Sequence, residues 1–144
     1  MKNILVPIDF KGNEDLLIDK AYELGDNFQS KVWFIHVAAP DPDFVGYDAG
    51  PQFIRDNRAD KLREEHKKLE SITNSLKQKG VNSEALLIQG ATVETILNKT
   101  KKLNIDLIII GHQSYGIFYQ ALFGSVSESL IKKSNIPVLV VPLD

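Results

Sequence analysis

Five short apolar runs recur along the sequence, and they constrain the fold more than any other feature. Each is six or seven residues long and rich in Val, Ile and Leu, and three of them are nearly continuous. Strands that are covered on both faces have this composition, whereas strands with one exposed face alternate apolar and polar residues. The runs predict strands of a parallel sheet at residues 3–8, 31–37, 83–89, 106–111 and 136–141.

Helical patterns occupy the gaps between the runs. Apolar side chains recur there every three or four residues, which is the spacing of one helix face. Strands that alternate with helices predict a doubly wound α/β fold, a five-stranded parallel sheet in the order 3-2-1-4-5 with helices on both faces. The four helical stripes are Leu17, Ala21, Leu24 and Phe28; Leu62, Leu69, Ile72 and Leu76; Val93, Ile96, Leu97, Thr100 and Leu103; and Val126, Leu130 and Ile131.

Composition narrows the functional classes. The length of 144 residues is typical of one domain, and we expect residues 1–144 to form a single unit. The net charge of -2 argues against a general affinity for nucleic acid, and no apolar run is long enough to span a membrane. The chain has no cysteine, which excludes disulfides and thiolate metal sites and suits a cytoplasmic protein.

One connection between the predicted elements is unusually long. The segment Ala38–Arg55 contains three prolines and two glycines. A structureless segment of this length is uncommon within a compact domain. It is either a solvated surface loop or a lid or partner-contact loop, since Phe44, Tyr47 and Phe53 would otherwise be exposed.

The predicted fold places a ligand site at one edge of the sheet. In open α/β sheets, ligands bind beyond the carboxyl ends of the strands, where the strand order reverses. If strands 1 and 4 are central neighbours, then Pro7, Ile8 and Asp9 converge with the stretch that begins at Gly111. His36, at the end of strand 2, lies beside them. This edge is the expected site before any motif is considered.

The start of the fourth predicted helix is suited to bind an anion. The main-chain N–H groups of Gly124, Ser125, Val126 and Ser127 would point to one spot, with the positive end of the helix dipole behind them. The hydroxyls of the two serines add donors. A carboxylate would repel a phosphate, so Asp9 belongs beside a sugar or a divalent metal.

These segments resemble the universal stress protein family, and the resemblance covers the whole chain. ILVPIDF is similar to the family's first strand with its acidic residue, here Asp9, and the segment from DLIIIG to IPVLVVP is similar to its C-terminal signature. ATP-binding members carry Gly, two residues, Gly, nine residues, Gly, and then Ser or Thr. Gly111, Gly124 and Ser125 match this pattern, and Ser114 stands in place of the second glycine.

The resemblance implies a bound adenine nucleotide, ATP with Mg2+ on its phosphates. The adenine would lie near His36 and Val37, where main-chain groups read its edge, and the ribose would meet Asp9 and Gly111. The phosphates would meet six residues: His112, Ser114, Gly124, Ser125, Val126 and Ser127.

Three of the site positions have an ordinary structural interpretation as well. By residue type, Pro7 and Val37 fit core or strand-end positions. His36 is equally suited to bond a loop carbonyl from the end of its strand. The sequence leaves these alternatives open.

Binding is better supported than catalysis. The stretch from Gly111 to Ser129 has no Lys or Arg, and the chain has no GxxxxGK[ST] motif, no nucleophile elbow and no histidines at metal-ligand spacing. At most a slow ATPase is expected. The predicted function is that of a small stress-response or signalling protein whose nucleotide occupancy alters its choice of protein partner. The alternative is an interaction module of the same fold that binds no nucleotide.

The last strand predicts an assembly. A sheet edge made of Val138–Val141 is prone to aggregation unless another element covers it. Pairing with the same strand of a second chain removes the hazard under twofold symmetry, and the family resemblance implies the same pairing. We therefore expect a homodimer through Pro137–Leu143.

Overall fold

The apolar runs form strands, and the helical patterns between them form helices. The computed structural model describes residues 1–11, 14–38, 52–112 and 126–143, and of residues 52–57 it describes the backbone alone. The strands are β1 (Asn3–Pro7), β2 (Lys31–Ala38), β3 (Ser83–Gln89), β4 (Leu107–His112) and β5 (Val138–Pro142). The helices in the described ranges are α1 (Glu14–Phe28), α2 (Gln52–Gln78), α3 (Thr92–Lys102) and α4 (residues 126–133). Each predicted strand is confirmed, with small differences at its ends.

All five strands are parallel, and their order is β3-β2-β1-β4-β5. β1 is the central strand: Leu5 lies opposite Trp33 of β2 on one side and Ile108 of β4 on the other. β2 and then β3 lie on one side of β1, and β4 and then β5 lie on the other. The doubly wound fold is therefore confirmed, and the strand order reverses between β1 and β4.

The apolar strand residues divide between two cores, one on each face of the sheet. Val6 of β1 packs beneath α1 and α2 in a cluster that includes Leu17 and Leu69. The adjacent residue, Leu5, packs on the opposite face with Ile96 of α3. Successive side chains of a strand point to opposite faces, so a strand that is covered on both faces needs apolar residues at consecutive positions. This is why the runs in the sequence are continuous.

Two helix positions that the spacing assigns to apolar stripes are exposed. Phe28, at 53% exposure, is the last residue of α1, where the chain turns toward β2 through Gln29 with a φ of 53°. Ile131 is 54% exposed while Leu130 is buried, because adjacent residues of a helix point about 100° apart. Periodicity identified both helices but extended the buried face of each too far.

The long connection is shorter than its composition predicts. Ala38 still belongs to β2, and residues 52–55 already belong to α2. Residues 39–51 lie outside the described residues. The interpretation of this segment as a lid or partner-contact loop stays a prediction.

Asp106 joins the start of β4 to the start of β1. Its Oδ2 accepts hydrogen bonds from the main-chain N–H groups of Lys2, at 2.7 Å, and Asn3, at 3.0 Å. The N–H of Asp106 in turn donates to the carbonyl of Asn3 at 2.8 Å. The N–H donors of Asn3 and Lys2 lower the pKa of Asp106 below its ordinary value of 3.8. The ionised carboxylate therefore holds the two central strands together at their amino ends.

We expect Asp106→Asn to lower the free energy of unfolding at pH 7 by less than about 1 kcal/mol, because solvent screens this exposed carboxylate. Since the folded-state pKa is lowered, the stabilisation is complete above the ordinary pKa of the carboxyl group and is lost as the pH falls through the lowered value. Urea unfolding, followed by the fluorescence of Trp33, should therefore separate the two proteins at pH 7 and bring them progressively together as the pH falls below the ordinary pKa and through the lowered one. A difference that persists unchanged in acid would contradict this role.

Candidate functional site

The carboxyl edge of the sheet is stepped between β1 and β2, on the other side of β1 from the point where the strand order reverses. β1 ends opposite Ile35, whereas β2 continues to Ala38, paired with β3. The carbonyl of Ile35 faces β1 and accepts from the N–H of Ile8 at 2.8 Å, and the carbonyl of Ala38 faces away and accepts from Gly90 at 3.1 Å. Because main-chain groups alternate in direction along a strand, the N–H and C=O of Val37 point toward the β1 side, beyond the last residue of β1. They face the crevice at the step.

Asp9 lies in the turn that follows β1. Its Oδ1 accepts a hydrogen bond from the N–H of Lys11 at 2.9 Å, so the side chain closes a tight turn over the next two residues. Between them, Phe10 has a φ of 61°, the left-handed region, which costs an L-residue on the order of 1–2 kcal/mol. The Asp9 side chain is exposed, and its second oxygen has acceptor capacity for a ligand hydroxyl. The predicted sugar contact is compatible with this placement and stays a prediction.

His36 is held by protein partners at both ring nitrogens. Nδ1 lies 2.7 Å from the carbonyl oxygen of Ile8, and Nε2 lies 2.5 Å from Oε2 of Glu65 on α2. The ring also packs against Phe10, with the two ring centroids 4.9 Å apart. The alternative in which His36 bonds a loop carbonyl is therefore confirmed. Its ring nitrogens are committed to the protein, so a base at this edge would meet main-chain groups.

Glu65 is a residue of this site that sequence reasoning missed. Its side chain is 12% exposed and points to the end of β2. Glu65 occupies a position of the apolar stripe of α2, between Leu62 and Leu69, where a charged residue is unexpected. A charged residue on an apolar stripe is the sequence signal from which Glu65 could have been predicted. The neighbouring His66, by contrast, is exposed and lies 3.5 Å from Glu70 of the same helix.

Three of the predicted contacts lie at strand ends with side chains that serve the cores. Ile8 is buried and belongs to the cluster beneath α1 and α2. Val37 packs against the cluster on the opposite face, and Pro7 is half-buried opposite Ile35. A ligand at this edge would therefore meet the main chain of these residues rather than their side chains.

Gly111 is a packing residue of β4. It lies within the strand, opposite Val141, and a Cβ built on it would come within 2.5 Å of Cδ1 and 3.1 Å of Cγ of Leu143. Among the glycines of the described residues, a positive φ occurs at Gly80 and not at Gly111. The absence of a side chain at Gly111 thus lets Leu143 close the end of the core. Gly111 lies within a regular strand and makes no turn.

The other wall of the crevice is described in part. His112 ends β4 and is half-buried, and Val126 and Ser127 are the first described residues of α4 and are also half-buried. The predicted phosphate site therefore stays a prediction. Three of its residues lie outside the described residues: Ser114, Gly124 and Ser125.

Two further classes of site were sought in the part of the chain that the structure describes. Its His, Asp and Glu side chains form no group of three that could hold a metal ion. None of its helices is both long enough and apolar enough to cross a membrane. The crevice at the step between β1 and β2 is the candidate site because the main-chain groups of Val37 face it.

The fold defines a class: single-sheet, doubly wound α/β proteins, in which ligands bind at the carboxyl edge of the sheet. A family model described as the universal stress protein family matches residues 1–142. The chain belongs to the universal stress protein family.

Relatives with names agree with this assignment. Universal stress protein YxiE of Bacillus subtilis is 27% identical over 143 residues, which are 96% of this chain and 97% of the relative. The solved structure of universal stress protein MJ0577 of Methanocaldococcus jannaschii has a TM-score of 0.75 at 28% identity, and the alignment covers 99% of this chain and 96% of that one.

Two other solved structures carry nucleotides. A universal stress protein in complex with cAMP has a TM-score of 0.73 at 17% identity, covering 99% of this chain and 98% of that one. A family protein of Arabidopsis thaliana with AMP bound has a TM-score of 0.66 at 21% identity, covering 100% of this chain and 93% of that one. At these identities the likeness shows a shared fold.

We expect Gly111→Ala to destabilise the protein by about 1–3 kcal/mol, because the new methyl group overlaps Leu143 in a closed core. In a Leu143→Ala background, which removes both overlapping atoms, the same change should cost less than about 1 kcal/mol. Urea unfolding of the four proteins of this cycle measures the difference. Equal costs in the two backgrounds would show that Gly111 has another role.

Proposed function

We propose that this chain binds an adenine nucleotide at the carboxyl edge of its sheet and acts as a dimeric, nucleotide-dependent signalling or regulatory protein of the cytoplasmic stress response. The observation that carries the proposal is the step between β1 and β2. It leaves the main-chain N–H and C=O of Val37 facing a crevice, and the exposed carboxylate of Asp9 lies in the turn that follows β1. One donor and one acceptor side by side match the hydrogen-bonding edge of adenine, and a carboxylate matches ribose hydroxyls.

The phosphates would extend from the ribose toward β4 and the start of α4. His112, Val126 and Ser127 belong to that side of the crevice. Main-chain N–H groups at a helix start bind anions without a cationic side chain, which suits a segment that has neither Lys nor Arg. Gly111 and three further residues complete the proposed contacts with the sugar and the phosphates: Ser114, Gly124 and Ser125.

Relatives support an adenine nucleotide as the ligand. Solved structures of universal stress proteins are complexes with cAMP, with dAMP and with AMP. ATP with Mg2+ bridging its phosphates is the ligand we propose for this chain, because the sequence keeps the spacing of the ATP-binding pattern from Gly111 to Ser125. Binding that changes the choice of protein partner, with at most slow hydrolysis, is the proposed mode of action.

We expect isothermal titration calorimetry to detect binding of ATP with Mg2+ and of AMP to the purified protein. Asp9→Ala should weaken both by on the order of tenfold, since it removes an ionised acceptor from the ribose, and Gly124→Val should abolish the ATP signal by filling the phosphate site. Asp19→Ala, which removes an exposed aspartate from the middle of α1, is the matched control and should bind as the wild type does.

The outcome separates two functions. A wild-type protein that binds neither nucleotide would refute this proposal and favour an interaction module of the same fold, with Ser114 as the change that removed the ligand. Equal affinity in the wild type and Gly124→Val would place the nucleotide elsewhere.

The proposed homodimer rests on β5. This strand is an edge of the sheet in the described residues, and Leu139 and Val140 are 36% and 39% exposed. An apolar edge offers unpaired main-chain groups to another strand. Pairing of Pro137–Leu143 with the same segment of a second copy would satisfy these groups and cover both side chains.

We expect the wild type to sediment at twice the mass of one chain in analytical ultracentrifugation. Val140→Lys should shift it to the mass of a monomer at micromolar concentration, because a charge on an edge strand opposes pairing. Phe28→Lys removes an exposed apolar side chain far along the chain from β5 and should leave the dimer intact. A wild-type monomer at all concentrations would contradict the proposed assembly.

A further inference from the structure

His36 touches the chain on both sides of Asp9. The carbonyl of Ile8, immediately before Asp9, lies 2.7 Å from Nδ1 of His36. The ring of Phe10, immediately after Asp9, packs on the imidazole with centroids 4.9 Å apart and planes tilted by 51°. The position of the Asp9 carboxylate is therefore tied to the position of the His36 ring.

The ring of His36 is in turn oriented by Glu65. A carbonyl oxygen only accepts hydrogen bonds, so Nδ1 must carry a proton that it donates to Ile8. Nε2 lies 2.5 Å from Oε2 of Glu65, within ion-pair distance. Within the described residues, Oε2 is buried and has no partner of hydrogen-bond geometry, so the close contact with Nε2 is its polar neighbour. The contact with Glu65 on one side and the hydrogen bond to Ile8 on the other therefore fix the orientation of the His36 ring.

Burial makes the loss of either partner of the His36–Glu65 pair costly. The side chains of His36 and Glu65 are 14% and 12% exposed, so little water is available to replace either partner. Removing one partner of such a pair leaves a polar group buried and unsatisfied, which is more costly than the pair's net contribution. Lys68, three residues after Glu65, places its Nζ 5.5 Å from the centroid of the Phe10 ring. Helix α2 thus contacts Phe10 directly through Lys68. It acts on Ile8 only by way of His36, which Glu65 contacts.

The left-handed backbone of Phe10 needs such support. A bulky residue keeps a φ of 61° only when its surroundings over-determine it, and residues of this kind cluster at ligand sites. The hydrogen bond from Asp9 to Lys11 closes the turn locally, and the His36 ring closes it from the side of β2. Loss of the ring would remove one of these two supports of the strained turn.

We propose that Glu65 is a positioning residue of the ligand site. Through His36 it holds the turn from Ile8 to Lys11 in the conformation that presents Asp9 to the ribose of a nucleotide. The inference rests on the proposed function for the identity of the ligand. The geometry of the brace, which comprises Glu65, His36, Ile8 and Phe10, does not depend on it.

Three variants separate this role from a general loss of structure. Glu65→Ala leaves Nε2 of His36 without its partner, and AMP should bind on the order of tenfold more weakly, the scale of partners that orient a ligand-binding group. Glu65→Gln offers an amide N–H to a neutral Nε2, and its affinity should lie within about twofold of the wild type. His36→Asn keeps a donor for Ile8 but loses the contacts with Phe10 and Glu65, and should weaken AMP as Glu65→Ala does.

The same proteins are compared by NMR without nucleotide. The wild type should show a proton on Nδ1 of His36 in a two-bond 1H–15N spectrum. Glu65→Ala should shift the amide signals of Asp9, Phe10 and Lys11, and Glu65→Gln should return them to the wild-type positions. Glu70→Ala is the matched control, because Glu70 pairs with an exposed histidine on the same helix, and it should change neither these signals nor AMP affinity.

Two results would overturn the inference. One is a Glu65→Ala protein with unchanged AMP affinity and unchanged amide signals from Asp9 to Lys11. The other is a Glu65→Gln protein that restores neither. A wild type that binds no nucleotide refutes the proposed function instead, and the spectra without nucleotide then decide the role of Glu65 by themselves.

Discussion

The pairing of β1 with a strand on each side is the constraint on which the rest of the structure depends. Ile4, Leu5 and Val6 are fully buried because neighbouring strands cover both edges of β1 and helices cover both of its faces. A strand in this position tolerates no charge along its length. The first charged residue after β1 is Asp9, and it is exposed at the carboxyl edge. Because β1 is buried along its length, the first carboxylate after it, that of Asp9, lies at the carboxyl edge beside the reversal of the strand order.

Residues at this edge serve the fold and the candidate site together. Gly111 lacks a side chain because Leu143 fills the space that one would need, and Ile8 places its side chain in the core while its carbonyl holds His36. A rigid core therefore extends up to the atoms that would contact a ligand. Such continuity limits the reorganisation that binding requires, since the groups are already held in place.

Local signals in the sequence were sufficient for the architecture. Apolar runs and helical stripes depend on neighbours a few residues apart, so they predicted the strands, the helices and their alternation, which the structure confirms. The expected strand order is also confirmed, although it joins strands distant in the chain and no local pattern encodes it. The same periodicity assigned Phe28 and Ile131 to buried faces, although both are exposed, because spacing does not show where a helix face meets the sheet. The contact between His36 and Glu65 joins different elements, and no local pattern encodes it.

The sequence by itself determined the alternation of strands and helices, the family, and the edge of the sheet at which polar residues gather. Each follows from side-chain polarity read in chain order, which decides what is buried and where a strand must end. Only the tertiary structure decided that His36 bonds Ile8 and Glu65, and that Gly111 makes room for Leu143. These contacts depend on the distances between elements packed together, and those distances arise only when the whole sheet and its helices are assembled.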